Sequence, residues 1–412
     1  MFISASTKAG SSRPSARTSV DSRARFCCIA VPVNSQSPTV DLSRVADVVV
    51  TVHRAAPCAV VAAALRVGGH FIYGAGASGS LFAEQHTPQA RIDTPFDLAS
   101  LTKPITALTM ARLVRRGILS RDDKLADVLP GLSCTGSAHV SMDLLAAHRG
   151  GIDGHGALYT PLVQGAESID RQQALLLAAE MRHTPWNETL HLKGFVPMYS
   201  DLGYLLLGAA LEARAKKNLD EVMADEVLDP LGVAIGSARM LRRRDPTFDV
   251  RVAPTEFVPF RGGLVRGAVH DENAWAFAKD ATCGHAGLFG MAMDVVRLGA
   301  AVLDALAGRR PEWLRPDDIE PLVRPRPDGS LLAGFDARSE QASSSGARLG
   351  PRTFGHLGFT GTSVWIDPDV EFVGVLLSNR VHPTRTSLAI RQARPAAYDA
   401  MFDAMTTSSE RS

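Results

Sequence analysis

Strand-like patterns lie near both ends of this chain and helical patterns fill its middle, which limits the folds that it can adopt. Residues 57–67 and 70–75 are apolar, β-branched runs separated by Gly68-Gly69, a pattern that predicts a β-hairpin. Further strands are predicted at residues 331–335, 353–358, 363–367 and 372–378. Because strands from both ends can share one sheet, we predict an α/β (α+β) fold, with an antiparallel sheet flanked by helices and an inserted, mainly helical region.

The helical region is predicted at residues 105–284, where apolar residues recur at helical spacing. We therefore assign residues 41–104 and 285–408 to an α/β sheet domain, and residues 105–284 to an inserted helical domain. Residues 1–40 are rich in Ser, Arg and Pro and cannot bury enough apolar surface to offset the entropy of ordering, so we predict a disordered tail. A targeting segment or a mis-assigned start would each explain such a tail.

Two segments that contain proline mark predicted boundaries. Residues 127–130 are predicted to be a loop. The last helix is predicted at residues 387–405, kinked or restarted at Pro395 because proline lacks the N–H that a helix interior needs. Arg391 and Arg394 are expected on its solvent-facing side.

Composition excludes several classes of function. With 21% charged residues and a net charge of +1, nothing indicates a nucleic-acid partner. The apolar runs fall far short of the roughly 18 residues that a membrane span requires, so no span is expected. The five cysteines include no C-x-x-C pair and predict neither a disulfide framework nor a zinc site, a usage that fits the cytoplasm without excluding export. The expected partner is a small-molecule substrate, and the oligomeric state stays open.

The segment at residues 96–104 places a hydroxyl and an amine three residues apart where a helix is predicted to begin. Residues at i and i+3 share a helix face, so Lys103 should lie beside Ser100. Pro104 is tolerated only in the first turn, so Ser100 should lie at the helix N-terminus, where free N–H groups favour a developing oxyanion. The alternative is an N-capping serine followed by a solvated lysine, although lysine is scarce in this chain.

A second element, Tyr199-Ser200-Asp201, precedes another predicted helix. Ser200 and Asp201 are both good helix N-caps, and capping alone would explain their presence. Tyr199 would then point into a loop, where a cation such as Lys103 would lower the pKa of its phenol toward that of a useful base.

A third element, Gly355-His356-Leu357-Gly358-Phe359, belongs to a predicted strand and the turn after it. Glycines weaken a strand unless another backbone or a ligand must approach closely, as at an edge strand that lines a substrate cleft. The alternative is a bulged core strand with a hydrogen-bonded histidine.

In this order, S-x-x-K, Y-S-D and H-L-G, the motifs resemble those of the serine β-lactamase and penicillin-binding-protein superfamily, in particular the branch related to class C β-lactamases and family VIII esterases. Further similar blocks lie at residues 144–152, 253–256, 269–274, 284–289 and 378–383. The resemblance extends over most of the chain. It implies a β-lactamase/transpeptidase-like fold and requires no cofactor or metal.

The resemblance also implies catalytic roles for the matching residues. Ser100 would be the acylated nucleophile, and Lys103 and Tyr199 would share its proton. The N–H groups of Ser100 and Phe359 would form the oxyanion hole.

Three residues would bind substrate by the same resemblance: Asp201, His356 and Gly358. Asp201 stands where many relatives have asparagine, and an ion pair with Lys103 would shift the role of base toward Tyr199. His356 stands where many relatives have the lysine of K-T-G. Because histidine is mostly neutral at pH 7 and the Leu357 side chain has no donor, we expect neutral esters to be preferred over carboxylate-bearing substrates, unless Arg149 or another arginine supplies the missing charge.

The predicted function is therefore a serine hydrolase that acts through a covalent acyl-enzyme on a small ester, a β-lactam or a D-amino-acid peptide, with esterase activity favoured. A D-Ala-D-Ala carboxypeptidase or β-lactamase is the first alternative. A non-catalytic binding or scaffold protein of the same fold is the second, although Ser100, Lys103 and Tyr199 would serve no purpose in it.

The histidines at positions 270 and 285 invite a metal interpretation. The spacing of the possible ligands around His270 and His285 is irregular, and we predict no metal site. His285 and His148 are instead predicted to be buried and hydrogen-bonded to the backbone.

Overall fold

One sheet of seven strands is assembled from the two ends of the chain, as the sequence predicts. The computed structural model describes residues 38–84, 87–184 and 194–409. From edge to edge the strands are β1 (Val40–Asp41), β3 (His70–Gly79), β2 (Cys58–Val67), β12 (Phe372–Ser378), β11 (Ser363–Asp367), β10 (Phe354–Leu357) and β9 (Asp336–Ala337). All neighbours are antiparallel apart from β1 and β3, which are parallel.

Strand β2 is buried on both faces because each face meets its own apolar core. Side chains alternate across a strand, so Val60 and Ala62 point to one side and Val61 and Ala63 to the other. The first pair belongs to the larger core, and the second pair to a smaller core that includes Met401. The sheet is therefore the middle of three layers.

Helices cover both faces of the sheet. Helices α1 (Ser43–Asp47) and α15 (Ile390–Ser409) pack on one face, and α13 (Ala292–Leu306) packs on the other. The larger core also contains apolar residues of α2 (Thr102–Arg115). The remaining helices are α3 (Leu125–Val128), α4 (Met142–Ala146), α5 (Thr160–Val163), α6 (Arg171–Glu180), α7 (Asp201–Ala215), α8 (Leu219–Met223), α9 (Asp229–Leu231), α10 (Ala238–Arg244), α11 (Phe248–Arg251), α12 (Glu272–Ala278) and α14 (Pro316–Val323). Turns of π-helix extend α1 and α8, at Val48–Val52 and Ala224–Leu228.

A second, smaller sheet positions the segment that leads to Ser100. Strand β4 (Phe96–Asp97) pairs with β8 (Leu288–Gly290), which also pairs with β5 (Gly236–Ser237). Strands β6 (Phe257–Val258) and β7 (Gly263–Leu264) form a separate hairpin. Strand β4 therefore anchors the chain just before Ser100.

Some predicted boundaries differ from the structure. The strand expected at residues 331–335 lies instead at Asp336–Ala337, and the loop expected at 127–130 contains the end of α3 and a short turn. Helix α15 continues through Pro395. Strand β1 begins inside the predicted tail, whose residues 1–37 lie outside the described part of the chain.

Arg394 is also placed differently from its prediction. Its side chain is buried, at 7% exposure, because its guanidinium donates to the carbonyl oxygens of Gly358 and Thr362, at 2.9 and 3.0 Å. The division into domains at residues 104 and 284 stays a prediction. Across the described ranges, no helix is long and apolar enough to cross a membrane.

Candidate active site

Ser100 lies immediately before the first turn of α2. Strand β4 leads into one turn of 3-10 helix, Ala99–Leu101, and α2 begins at Thr102. Pro104 lies in the first turn of α2, as predicted, where the N–H that it lacks would have no helical acceptor. Ser100 lines an open cavity of about 600 Å³.

The backbone in front of Ser100 has an unusual conformation. Ala99 has a φ of +50°, in the left-handed region that is costly for a residue other than glycine. The Asp97 carboxylate supports this turn, because it accepts from Ala99 N–H at 2.8 Å and from His270 N–H at 2.6 Å. Burial raises the pKa of Asp97. The turn at Ala99–Leu101 is named the nucleophile turn after the predicted role of Ser100. It is thus bonded to the loop that carries His270.

The Lys103 amine is fully buried and donates three hydrogen bonds. Its Nζ lies 3.0 Å from Ser100 Oγ, 2.7 Å from Asp201 Oδ1 and 3.4 Å from His285 O. Three acceptors match the three N–H groups of an ammonium. Burial by itself lowers the pKa of Lys103, but Asp201 and Tyr199 together outweigh burial and hold this pKa above its usual range. Lys103 is therefore charged in the free enzyme.

Tyr199 is a half-buried loop residue that lines the same cavity as Ser100. Lys103 Nζ lies 4.6 Å from the centre of its ring. Burial raises the pKa of Tyr199, and the charge of Lys103 offsets this only in part. The predicted lowering of this pKa is wrong for the free enzyme, because lost solvation outweighs the neighbouring cation.

Ser200, rather than Asp201, caps helix α7. Ser200 Oγ accepts from Gly203 N–H at 2.9 Å and donates to Asp153 O at 2.6 Å. Asp201 is the first residue of α7, so its carboxylate is free to pair with Lys103. The structure therefore contains the ion pair that the sequence suggested.

The turn after β10 is hydrogen-bonded to the segment before Ser100. The hydroxyls of Thr360 and Thr362 donate to the carbonyl oxygens of Asp97 and Leu98, at 2.9 and 3.0 Å. Gly358 allows this close approach, since a Cβ there would lie 1.9 Å from Thr362 Oγ1 and 2.9 Å from Leu98 O. The chain that follows Gly358 is therefore held against the nucleophile turn.

Phe359, the predicted source of the second oxyanion donor, lies in that turn and lines the cavity with 48% of its surface exposed. Its ring stacks on His270 at 5.7 Å between centroids, and the Arg380 guanidinium lies 4.6 Å from its centre. Ser100 and Phe359 thus meet at one cavity, as their predicted joint role requires.

His356 lies behind Tyr199 and is absent from the lining of the cavity. Its side chain is 2% exposed, its ring centre lies 5.9 Å from that of Tyr199, and its Nδ1 lies 2.8 Å from Leu357 O. Burial and the charge of Lys103 lower the pKa of His356 to about 3. The histidine is neutral, as expected, but Leu357 and Gly358 rather than His356 contact the cavity.

Four arginines line the cavity, and sequence reasoning assigned none of them to the site: Arg380, Arg385, Arg391 and Arg394. Arg385 pairs with Glu256 and Glu272, and Arg380 and Arg394 donate to backbone carbonyl oxygens. Arg391 is exposed on α15, and within the described residues its side chain has no hydrogen bond or ion pair. The block at residues 378–383 was the only signal that pointed to any of them.

Buried His285 and partly exposed Asp271 form a pair next to Lys103. His285 Nε2 lies 2.9 Å from Asp271 Oδ1, and its Nδ1 lies 3.4 Å from Cys283 Sγ. Burial opposes a charged imidazole, but Cys283 and Asp271 together hold the pKa of His285 well above its usual range. His285 thus bonds to side chains rather than to the backbone as predicted, whereas His148 accepts from a backbone N–H. No group of His, Cys, Asp and Glu in the described residues is arranged to hold a metal.

Several known proteins are similar to this chain. The family model described as Beta-lactamase matches residues 50–398. A protein of Escherichia coli (strain K12), provisionally named a D-alanyl-D-alanine carboxypeptidase, is 26% identical over 324 residues, which cover 74% of this chain and 73% of that protein. The N-acetylmuramyl-L-alanine amidase of Bacillus subtilis (strain 168) is 27% identical over 309 residues, which cover 70% and 68%.

Solved structures are similar in fold. EstCE1, a hydrolase with promiscuous acyltransferase activity, matches with a TM-score of 0.63 at 22% identity, over 86% of this chain and 97% of that one. The octameric penicillin-binding protein homologue from Pyrococcus abyssi matches with a TM-score of 0.62 at 18% identity, over 87% and 75%. Since the family model spans most of the chain and the fold agrees with it, this chain belongs to the β-lactamase family.

Proposed function

We propose that the protein is a serine hydrolase that forms a covalent acyl-enzyme at Ser100. The observation that carries this proposal is the 3.0 Å contact between Lys103 Nζ and Ser100 Oγ, at a helix start that opens into the cavity. Ser100 Oγ attacks the substrate carbonyl carbon and gives its proton to Tyr199, and Tyr199 passes a proton to the leaving group as the bond between that group and the acyl carbon breaks. Water then attacks the acyl-enzyme and restores the serine.

Tyr199 is the better candidate for the group that accepts the proton. Lys103 already carries its proton and donates three hydrogen bonds, so its nitrogen has no free lone pair. A phenolate at Tyr199 has one, and the adjacent ammonium stabilises it. The rate should therefore rise with pH as Tyr199 loses its proton.

The N–H groups of Ser100 and Phe359 are proposed as the oxyanion hole. The two threonine hydrogen bonds to the segment before Ser100 support this role, because they hold the two backbone stretches together before substrate arrives. Donors fixed in advance stabilise a developing oxyanion at no cost of reorganisation.

For the acyl donor we propose a small neutral ester. The cavity wall next to Ser100 carries Leu357, which has no donor, and the neutral His356 lies behind it. A carboxylate on the substrate would find no permanent cation at this position.

A carboxylate-bearing peptide is a second candidate, favoured by Arg391. Its exposed guanidinium lines the cavity and has no partner within the described residues, so it is available to a substrate carboxylate. The provisional name of the Escherichia coli relative, a D-alanyl-D-alanine carboxypeptidase, fits this candidate.

One experiment tests the nucleophile. A fluorophosphonate or a fluorescent penicillin should label the protein covalently, and mass spectrometry should locate the adduct on Ser100. Ser100→Ala should remain folded, lose the label and lose several orders of magnitude in hydrolysis. Absence of labelling in the wild type would favour a non-catalytic binding protein of the same fold.

A second experiment separates the substrate classes. We would measure kcat/KM for p-nitrophenyl butyrate, nitrocefin and a D-Ala-D-Ala peptide, with Arg391→Gln beside the wild type. Arg44→Gln is the matched control, since Arg44 is an exposed arginine of α1 outside the cavity lining. An ester preference unchanged in Arg391→Gln supports the first candidate. A peptide preference that falls by roughly tenfold or more in Arg391→Gln alone supports the second, because a charged hydrogen bond contributes about 1.5–3 kcal/mol.

A further inference from the structure

His148 holds the chain on both sides of Tyr199. The His148 carbonyl accepts from Met198 N–H at 3.0 Å, and the ring Nδ1 accepts from Ser200 N–H at 3.0 Å. The imidazole also stacks on the Tyr199 ring, with 4.8 Å between centroids and 29° between planes. One residue therefore contacts the tyrosine ring and both of its neighbours along the chain.

The imidazole is itself fixed and neutral. The Tyr204 ring packs 5.0 Å from it, and the Tyr204 hydroxyl donates to Ala146 O at 2.7 Å. A ring nitrogen that accepts from a backbone N–H carries no proton, so the remaining proton lies on Nε2. Burial and the charge of Lys103 hold the pKa of His148 well below its usual range. The residue is 4% exposed and stays an acceptor across neutral pH.

We propose that His148 is the positioning residue of Tyr199, and that it keeps the phenol aligned with Ser100 and Lys103. This inference rests on the proposed function, in which Tyr199 receives the serine proton. Tyr199 belongs to neither a helix nor a strand, and an unsupported loop tyrosine samples several rotamers. His148 is absent from the cavity lining, so it acts through Tyr199 rather than on the substrate.

Two substitutions separate the two kinds of contact. His148→Phe keeps an aromatic ring but has no acceptor for Ser200 N–H. His148→Asn keeps an acceptor and tolerates the left-handed backbone of this position, where φ is +58°, but removes the stacked ring. With p-nitrophenyl butyrate we expect each variant to lose about 10- to 100-fold in kcat with little change in KM, since a misplacement of about 1 Å has an effect of this size. Labelling of Ser100 by a fluorophosphonate should slow in parallel.

A stability control and a double variant complete the test. Tyr398→Phe removes a buried hydroxyl that donates to Ser363 Oγ at 3.0 Å, in the core on the opposite face of the sheet, so it should lower Tm without changing kcat. If His148 acts through Tyr199, His148→Phe combined with Tyr199→Phe should be no slower than Tyr199→Phe alone.

The outcomes distinguish this inference from the proposed function. A further tenfold or larger loss in the double variant, or single His148 variants that keep wild-type kcat while Tyr199→Phe is impaired, would overturn the positioning role and leave the proposed function intact. Wild-type kcat in Tyr199→Phe would remove the base assignment itself, and the positioning role with it.

Discussion

At the scale of single residues, the proposed mechanism makes the ion pair of Lys103 and Asp201 decide which group takes the proton from Ser100. With the carboxylate present Lys103 is charged, whereas burial without that carboxylate lowers the pKa of Lys103. In Asp201→Asn the amine should therefore become available as a base. We expect the rising limb of log(kcat/KM) against pH to move to lower pH, measured from neutral to alkaline conditions.

Asp225→Asn is the matched control for this experiment. Asp225 pairs with Lys217 at 2.5 Å on the surface, so its loss removes a lysine–aspartate pair of the same kind far from the proton transfer. Its pH profile should follow the wild type. An unshifted profile in Asp201→Asn would show that protonation of Lys103 does not limit the reaction.

Asp336 on β9 allows a test by stability. Burial raises the pKa of Asp336 to about 7, against an unfolded value of roughly 3.9. The folded state therefore binds the proton more tightly, and stability is lost as pH rises between these two values. Asp336→Asn should be more stable than the wild type, by a margin that grows up to about pH 7 and is constant above it. Thermal melts over this range measure the margin, and a margin independent of pH would contradict the prediction.

The contacts of a site residue could be predicted from the sequence when its partner is close along the chain, and not when its partner is distant. The contact of Ser100 and Lys103 follows from their spacing on a helix, and Tyr199 joined them through the order of the motifs. The role of His148 was not predictable, because its contact spans 52 residues to Ser200 and no periodicity reports such a contact. Arg394 was expected in solvent because it is a charged residue on a helix. The sequence does not show that two buried carbonyl oxygens, those of Gly358 and Thr362, lie within reach of its guanidinium.

At the scale of elements, the turn after β10 and the nucleophile turn act as one unit. Thr360→Val or Thr362→Val removes one hydroxyl that joins them and lets the Phe359 N–H shift. We expect each to lower kcat by roughly tenfold, a smaller effect than losing an oxyanion donor outright, with a stability loss of about 1 kcal/mol. Steady-state kinetics and thermal melts measure the two effects.

Thr109→Val is the control for the threonine variants. Its hydroxyl is equally buried and donates to Ile105 O at 2.8 Å within α2, but it does not join the two turns. A similar loss of stability with unchanged kcat is expected. Equal losses of kcat in all three variants would show that lower stability of the whole fold, rather than loss of the bond between the two turns, reduces kcat.

Elements with strong patterns were predicted well and short ones were not. Strands β11 and β12 have the bounds that their apolar runs predicted, because each is fully buried. Strands β5, β6 and β9 have two residues each, too few to show a period of two, and the positions of β5 and β9 depend on partners distant in sequence.

At the scale of the whole molecule, the sheet closes only when both ends of the chain are present. Strand β2 pairs with β12 along Ala59–Leu65, so the early hairpin depends on residues made last. A chain that ends at Arg324 would lack β9 to β12 and α15, and would expose the edge of β2 that pairs with β12 and the apolar face of β2 that packs against α15. We expect it to show no cooperative thermal transition.

The control for this truncation ends at Ser409. It keeps all of α15 and should melt at the temperature of the full-length protein. A cooperative transition in the chain that ends at Arg324 would mean that its remaining part folds independently, contrary to the expectation from the sheet.

Strands at both ends of the sequence predicted this closure, but they did not predict the order of the strands. That order depends on which apolar faces of the strands pack against α13 and α15. The side-chain pattern along one strand does not indicate which other strand pairs with it. The resemblance of the motifs to a known family implied the type of fold, whereas the order of the strands is seen only in the structure.

The hydrogen bonds from Arg394 to Gly358 and Thr362 bear on how the enzyme is attached to a solid support. Through them, α15 is bonded to the turn that carries Phe359. A linker at the C-terminus would pull on α15. Mechanical tension or surface crowding there would therefore displace the turn that carries Phe359. Attachment at the exposed hairpin turn Gly68-Gly69, where an added Cβ would meet no atom within 4 Å, would leave the turn that carries Phe359 undisturbed.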